Sequence, residues 1–181
     1  MGRERRRAAS KALAPKPAGR SLPNEPWLTQ ALRALLQSQR VAALGTVNAD
    51  GAPLVSMVPF AIEPVQACVV IHVSGLAAHT GNLHNSASVS LMVMQAETPG
   101  EPVHALPRVT LEGRAEFLEA ETPIWRDCRA AYLGRFPEAE PMTALGDFRF
   151  VAVRVTSGRQ VAGFGAARSV SAAELAQVLS A

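Results

Sequence analysis

An Asp50-Gly51 step between two apolar runs is the feature that most constrains how this chain folds. The runs cover residues 41–47 and 54–62 and are rich in valine and other strand-forming residues. Glycine accepts the positive φ that a tight hairpin turn requires, so Asp-Gly between apolar runs predicts a β-hairpin. An isolated hairpin is only marginally stable, so the chain has to supply further strands to pair with it.

Those further strands are predicted at residues 67–73, 87–94, 108–118 and 148–155, where β-branched or alternating apolar residues recur. Helices are predicted at the margins, over residues 24–39, from Thr122 onward and from Ser171 onward. Sequence-adjacent strands with few crossovers favour an α+β or mainly β domain. We therefore predict a small antiparallel barrel of six to seven strands with peripheral helices.

Composition divides the 181 residues into a basic tail and one globular domain. Seven of the 18 lysines and arginines lie within residues 1–20, whereas 48% of the whole chain is hydrophobic. We predict a disordered basic tail over residues 1–23 and a folded domain over residues 24–181. The chain has a formal net charge of +3, and the tail alone has seven basic residues against one acidic residue, so the folded body is near neutral or slightly acidic. A nucleic-acid-binding domain is therefore not indicated.

Two cysteines, Cys68 and Cys128, lie far apart among apolar residues and are predicted to be buried free thiols. Free thiols are typical of a reducing compartment, and no apolar run approaches the roughly 20 residues that span a bilayer. We therefore expect a cytoplasmic protein without membrane association. The four histidines lack the spacing of a metal pair on a helix, so no metal site is predicted.

A predicted strand runs into a predicted short helix around Ser74-Gly75. We place Ser74 as the N-cap of this helix. Unpaired N–H groups at such a step, together with the helix dipole, favour an anion such as a phosphate. Thr80 and Asn82 add polar groups, and His79 is a possible cation. An ordinary capped turn explains the same residues, and the spacing alone leaves both interpretations open.

The order of these parts resembles the pyridoxamine 5′-phosphate oxidase-like flavoproteins. The similarity lies in the hairpin around Asp50-Gly51, in residues 106–115 and 146–149, and in Gly163-Phe164-Gly165. Residues 74–83 look like the branch of that family related to the haem-utilisation protein HugZ. The resemblance covers roughly residues 39–168, and its specificity comes from the order and spacing of the pieces.

The resemblance implies a split β-barrel that forms a homodimer and binds FMN at the subunit interface. One strand would run beside the flavin ring, the strand-to-helix step would hold the ribityl phosphate, and two arginines would reach the flavin or its phosphate. The residues that it implies at the cofactor are Ser56, Met57, Val58, Pro59, Ser74, Ala77, Ala78, His79, Thr80, Asn82, Arg108 and Arg114.

The chain also departs from the oxidases. They carry an Arg-Lys pair where this chain has Ala78-His79, and an Arg and a His near the C-terminus, where it has Arg168 but no histidine. These differences argue against pyridoxamine-phosphate oxidase activity itself. The leading hypothesis is an FMN-dependent oxidoreductase acting on a small molecule, with no catalytic residue assigned.

Two alternatives stay open. One is a haem-binding or haem-degrading protein, with His72, His79 or His84 as the axial ligand to the iron. The other is a non-enzymatic flavin-binding stress protein on the same barrel.

Overall fold

The structure is a computed structural model that describes residues 25–181, so the predicted tail and Asn24 lie outside the described residues. The strands are β1 Val41–Val47, β2 Pro53–Glu63, β3 Cys68–Ser74, β4 Ser88–Met94, β5 Arg108–Phe117, β6 Phe148–Val161 and β7 Ala167–Ser171. The α-helices are α1 Trp27–Ser38, α2 Ala78–Asn85, α3 Pro123–Arg135, α4 Glu140–Thr143 and α5 Ala172–Leu179. Between residues 25 and 181, no helix combines the length and apolar character that crossing a bilayer requires.

The strands form one antiparallel sheet in the order β3-β2-β1-β4-β5-β6-β7. A further pairing of β3 with β6 closes six of them into a barrel and leaves β7 beside β6. The predicted antiparallel barrel of six to seven strands with peripheral helices is therefore confirmed. The predicted hairpin is also present, because β1 pairs with β2 across a turn in which Gly51 has φ +83°.

The barrel is split along β2. This strand pairs with β1 over residues 53–59 and with β3 only over residues 60–63. Among the described residues, no strand covers the second edge of β2 over residues 53–59. Helix α2 contacts both β1 and β2.

The barrel interior is filled by aliphatic side chains from every barrel strand. Leu44 of β1 and Leu111 of β5 are among its buried members. Helices α1 and α5 cover this core and add Leu36 and Leu175, both fully buried. Ser171 caps α5 by accepting a hydrogen bond from the Glu174 N–H, as the sequence predicts.

A second cluster lies outside the barrel, where α3 packs on β2, β3 and β6. It includes Tyr132 and Phe150, and it encloses Cys68 and Cys128, which are both free and fully buried. Strand β3 is therefore buried on both faces, which explains its nearly continuous apolar sequence.

Gly113 provides a test of this packing. It sits at a register shift between β5 and β6, where an added Cβ would lie 2.5 Å from the Arg154 carbonyl oxygen. Because the backbone cannot shift without a large energetic cost, Gly113→Ala is expected to lower the free energy of unfolding by about 1–3 kcal/mol.

The control is Gly134→Ala in α3, whose added Cβ meets nothing within 4 Å. It is expected to be neutral or stabilising by up to about 1 kcal/mol. Urea unfolding measures both, and equal stability of the two variants would contradict this packing.

Candidate functional site

An apolar face of the sheet lies open on β2, β1 and β4. On β2, Val55 and Met57 are 70% and 66% exposed, and they lie opposite Gly45 and Ala43 of β1. Ala43 also lies opposite Met92 of β4, so these positions share one face. The exposed apolar members, here called the apolar sheet face, are Val41, Val47, Val55, Met57, Met92 and Met94. Contiguous apolar surface of this kind marks a binding site for a protein or a ligand.

Ser56 lies on the opposite side of β2, where its Oγ is 3.0 Å from Nδ1 of His79 in α2. Burial lowers the pKa of His79, so the imidazole is mainly neutral at pH 7. When the proton is on Nδ1, the ring donates to Ser56 and Nε2 carries a free lone pair. That is the arrangement of a metal-ligating histidine held by a hydrogen bond from its other nitrogen.

The other predicted residues of β2 divide between its two faces. Val58 is buried in the barrel core, so only its backbone is available to a ligand. Pro59 is half-buried on the outer face, opposite Val41. The structure thus brings Ser56 to His79 and Met57 to the apolar sheet face.

The chain passes from β3 into α2 through residues 74–79, here called the α2 corner. The prediction that Ser74 is the N-cap is wrong, because α2 begins at Ala78 and its N-cap is Ala77, which makes no side-chain capping bond. The physical reason is a separate turn before the helix, closed by the Ala77 N–H donating to the Ser74 carbonyl oxygen at 3.1 Å.

Asp147 occupies the α2 corner. Ser74 Oγ donates to Asp147 Oδ2 at 2.9 Å, and the Gly75 N–H donates to the Asp147 carbonyl oxygen at 2.7 Å. The β3–β6 register places Ser74 opposite Phe148 and so brings Asp147 to the corner. The sequence analysis assigned Asp147 no role, although it lies directly before a predicted strand and within residues 146–149, one of the stretches that carry the family resemblance.

Thr80 and Asn82 use their side chains to hold α2 in place. Thr80 Oγ1 donates to the Ser74 carbonyl oxygen at 2.6 Å. Asn82 Nδ2 donates to Thr46 Oγ1 of β1 at 3.0 Å. The side chains of Thr46, Thr80 and Asn82 are all buried. These bonds hold the helix that carries His79 against the end of β3 and against β1.

Arg108 and Arg114 lie away from the α2 corner on β5. They are six residues apart on one strand, which corresponds to about 20 Å. Two strands, β1 and β4, separate β5 from β2. Arg108 also donates to the Leu106 carbonyl oxygen at 3.0 Å. Within one chain, the structure does not bring either arginine to Ser56 or His79.

The two other candidate iron ligands have different surroundings. His72 is only 9% exposed and stacks on Phe150 with 4.4 Å between ring centroids, and burial lowers its pKa to about 4. His84, at the exposed end of α2, stacks on Phe117 at 4.1 Å. The enclosed position of His72 leaves no access for a flat ligand. Across residues 25–181, no group of three or more His, Cys, Asp or Glu is placed to hold a metal ion.

Comparison with known proteins gives consistent matches. Residues 28–162 match the family described as pyridoxamine 5′-phosphate oxidase. The chain is 31% identical over 140 residues to the haem oxygenase HutZ of Vibrio cholerae, covering 77% of this chain and 78% of HutZ.

Two solved structures are also similar. A haem-binding protein from Mycobacterium smegmatis superposes with a TM-score of 0.76 at 28% identity, covering 84% of this chain. The chain spans only 61% of that protein's length. The second is the crystal structure of HutZ, the haem storage protein from Vibrio cholerae. It superposes with a TM-score of 0.64 at 28% identity, covering 70% of this chain and 88% of HutZ.

Proposed function

Because this chain belongs to the pyridoxamine 5′-phosphate oxidase family, we propose that it is a haem-binding protein built on that family's split barrel. Two observations support haem over FMN as the ligand. The relatives described above are named for haem oxygenase, haem binding or haem storage. The corner predicted to hold the flavin phosphate contains a carboxylate instead. Cytoplasmic location remains part of the proposal and is supported by the two free cysteines.

The observation that carries the proposal is the Ser56–His79 pair beside the open edge of β2. A neutral imidazole with one nitrogen hydrogen-bonded to a hydroxyl suits an iron atom at its other nitrogen. Haem, when bound, supplies a redox-active iron whose chemistry depends on its axial ligand. In this chain, His79 would ligate the iron, and Ser56 would fix the ring orientation and the tautomer.

The proposal includes a homodimer that pairs through the apolar sheet face, with the cofactor at the subunit interface. Val55 and Met57 stand on the outer face of the same strand segment that carries Ser56. Covering this face would remove exposed apolar surface from water at about 25 cal/mol per Å². Ser56 and His79 lie on the other side of β2, so a cofactor that contacts both the partner and His79 would cross the open edge of β2.

FMN is the second candidate ligand. Unpaired backbone groups along residues 53–59 of β2 suit the polar edge of a flavin ring, which favours it. The α2 corner suits the phosphate poorly, because Asp147 is negative and α2 carries no Arg or Lys. An FMN-dependent oxidoreductase and a non-enzymatic flavin-binding stress protein therefore stay as predictions.

Titration of the purified protein with hemin tests the proposal. We expect a shifted Soret band that saturates at a fixed ratio of haem to chain. FMN titrated in parallel, followed by quenching of its fluorescence, is expected to bind more weakly. A Soret change that rises without saturation, as for hemin adsorbed to any apolar surface, would contradict haem binding at a defined site.

A further inference from the structure

The α2 corner has the backbone shape of an anion site, but three of its hydrogen-bond donors, those of Ser74, Gly75 and Leu76, are already used. The Gly75 N–H is bonded to the Asp147 carbonyl oxygen at 2.7 Å, and the Leu76 N–H to Ser74 Oγ at 3.2 Å. The Ser74 hydroxyl itself donates to Asp147 Oδ2 at 2.9 Å. A phosphate that bonds the Ser74 hydroxyl would have to displace the Asp147 carboxylate, and one that bonds the Gly75 N–H would have to displace the Asp147 carbonyl oxygen.

Charge at the corner points the same way. Helix α2 has no Asp, Glu, Arg or Lys in its first turn, and Nδ1 of His79 is already hydrogen-bonded to Ser56 Oγ. Arg149, the arginine nearest in sequence to Asp147, donates to the Gly146 and Phe148 carbonyl oxygens at 2.9 and 3.1 Å. Among residues 25–181, no fixed cation is bonded to the carboxylate at this corner, so a phosphate placed there meets like charge.

We propose that Asp147 is a specificity-determining residue that excludes phosphorylated ligands, FMN above all, from the α2 corner. The same carboxylate does not repel a ligand if the part of the ligand that lies at the α2 corner is uncharged. The inference deepens the proposed function, and it rests on that function only for the location of the ligand site. It assigns the choice between FMN and other planar ligands to one side chain.

Riboflavin and FMN make the sharpest pair of probes, because they differ only by the phosphate. The wild-type protein is expected to bind riboflavin more tightly than FMN. Asp147→Asn keeps the shape and an acceptor for Ser74 while removing the charge, so it is expected to tighten FMN binding by about tenfold or more. Riboflavin affinity is expected to change by less than about threefold. Asp147→Glu, which keeps the charge, is expected to retain the wild-type preference.

The outcomes separate this inference from haem binding. Hemin is titrated on the same samples. If the wild-type protein does not bind hemin but Asp147→Asn tightens FMN binding as expected, the proposed function is wrong and the inference about Asp147 still holds. An Asp147→Asn protein that binds FMN no better than wild type, including no binding by either, would overturn the inference. If circular dichroism shows that Asp147→Asn does not fold, the wild-type comparison decides. In that case, tighter binding of riboflavin than of FMN by the wild-type protein supports the inference, and equal or tighter binding of FMN overturns it.

Discussion

Replacing His79 with alanine is expected to abolish the histidine-ligated Soret band of the hemin-loaded protein. The iron loses its nitrogen ligand, and Ser56 Oγ, 3.0 Å from the ring in the wild type, cannot replace it from its place on β2. Hemin affinity is expected to fall by at least about tenfold, or 1.4 kcal/mol. Absorbance titration measures both effects.

His84→Ala is the matched control for this prediction. It removes a second imidazole from the same helix, one that stacks on Phe117 at the exposed end of α2. Its hemin spectrum is expected to match wild type. Added imidazole is expected to restore the band of the His79→Ala protein by filling the vacated position. Identical spectra for His79→Ala and wild type would remove His79 as the ligand.

Val55→Asp is expected to convert the proposed homodimer into monomers. A twofold-symmetric interface meets each substitution twice, so two carboxylates would be buried without a partner. The dimer dissociation constant is expected to rise at least about a hundredfold, close to 3 kcal/mol. Sedimentation velocity over a range of protein concentrations measures it.

The control is Val65→Asp, which makes the same chemical change at a valine that is 77% exposed in the β2–β3 turn. Val65 lies outside the apolar sheet face, so the Val65→Asp protein is expected to have the same mass in solution as the wild-type protein. If the wild-type protein is a monomer at every concentration, or if both variants weaken the dimer equally, pairing through the apolar sheet face is wrong.

Local sequence signals were sufficient for most of the fold. The Asp50-Gly51 turn is specified within five residues, where Asn48 Oδ1 accepts from the Asp50 and Ala52 N–H groups. Strands that depend on pairing with residues distant in the sequence were predicted only in part. Strand β6 runs past the predicted end at residue 155 to Val161, and β7 was not predicted at all. The extension of β6 pairs with β5 beyond a register shift, and β7 pairs with that extension; alternation within a single segment shows neither.

The candidate site was predictable only where residues are close in sequence. Ser56 and His79 were both named, but their hydrogen bond joins positions 23 residues apart and depends on how α2 packs against β2. Asp147 lies 73 residues from Ser74, and only the β3–β6 register brings the two side chains together. A charge that arrives through tertiary structure reverses the electrostatics that the local residues suggest.

Native mass spectrometry of the protein mixed with equal concentrations of hemin and FMN asks which ligand the protein selects and in which assembly. We expect a species with the mass of two chains that carries haem, with FMN absent or in the minority. A dimer loaded with FMN, or a monomer that retains neither ligand, would contradict this expectation.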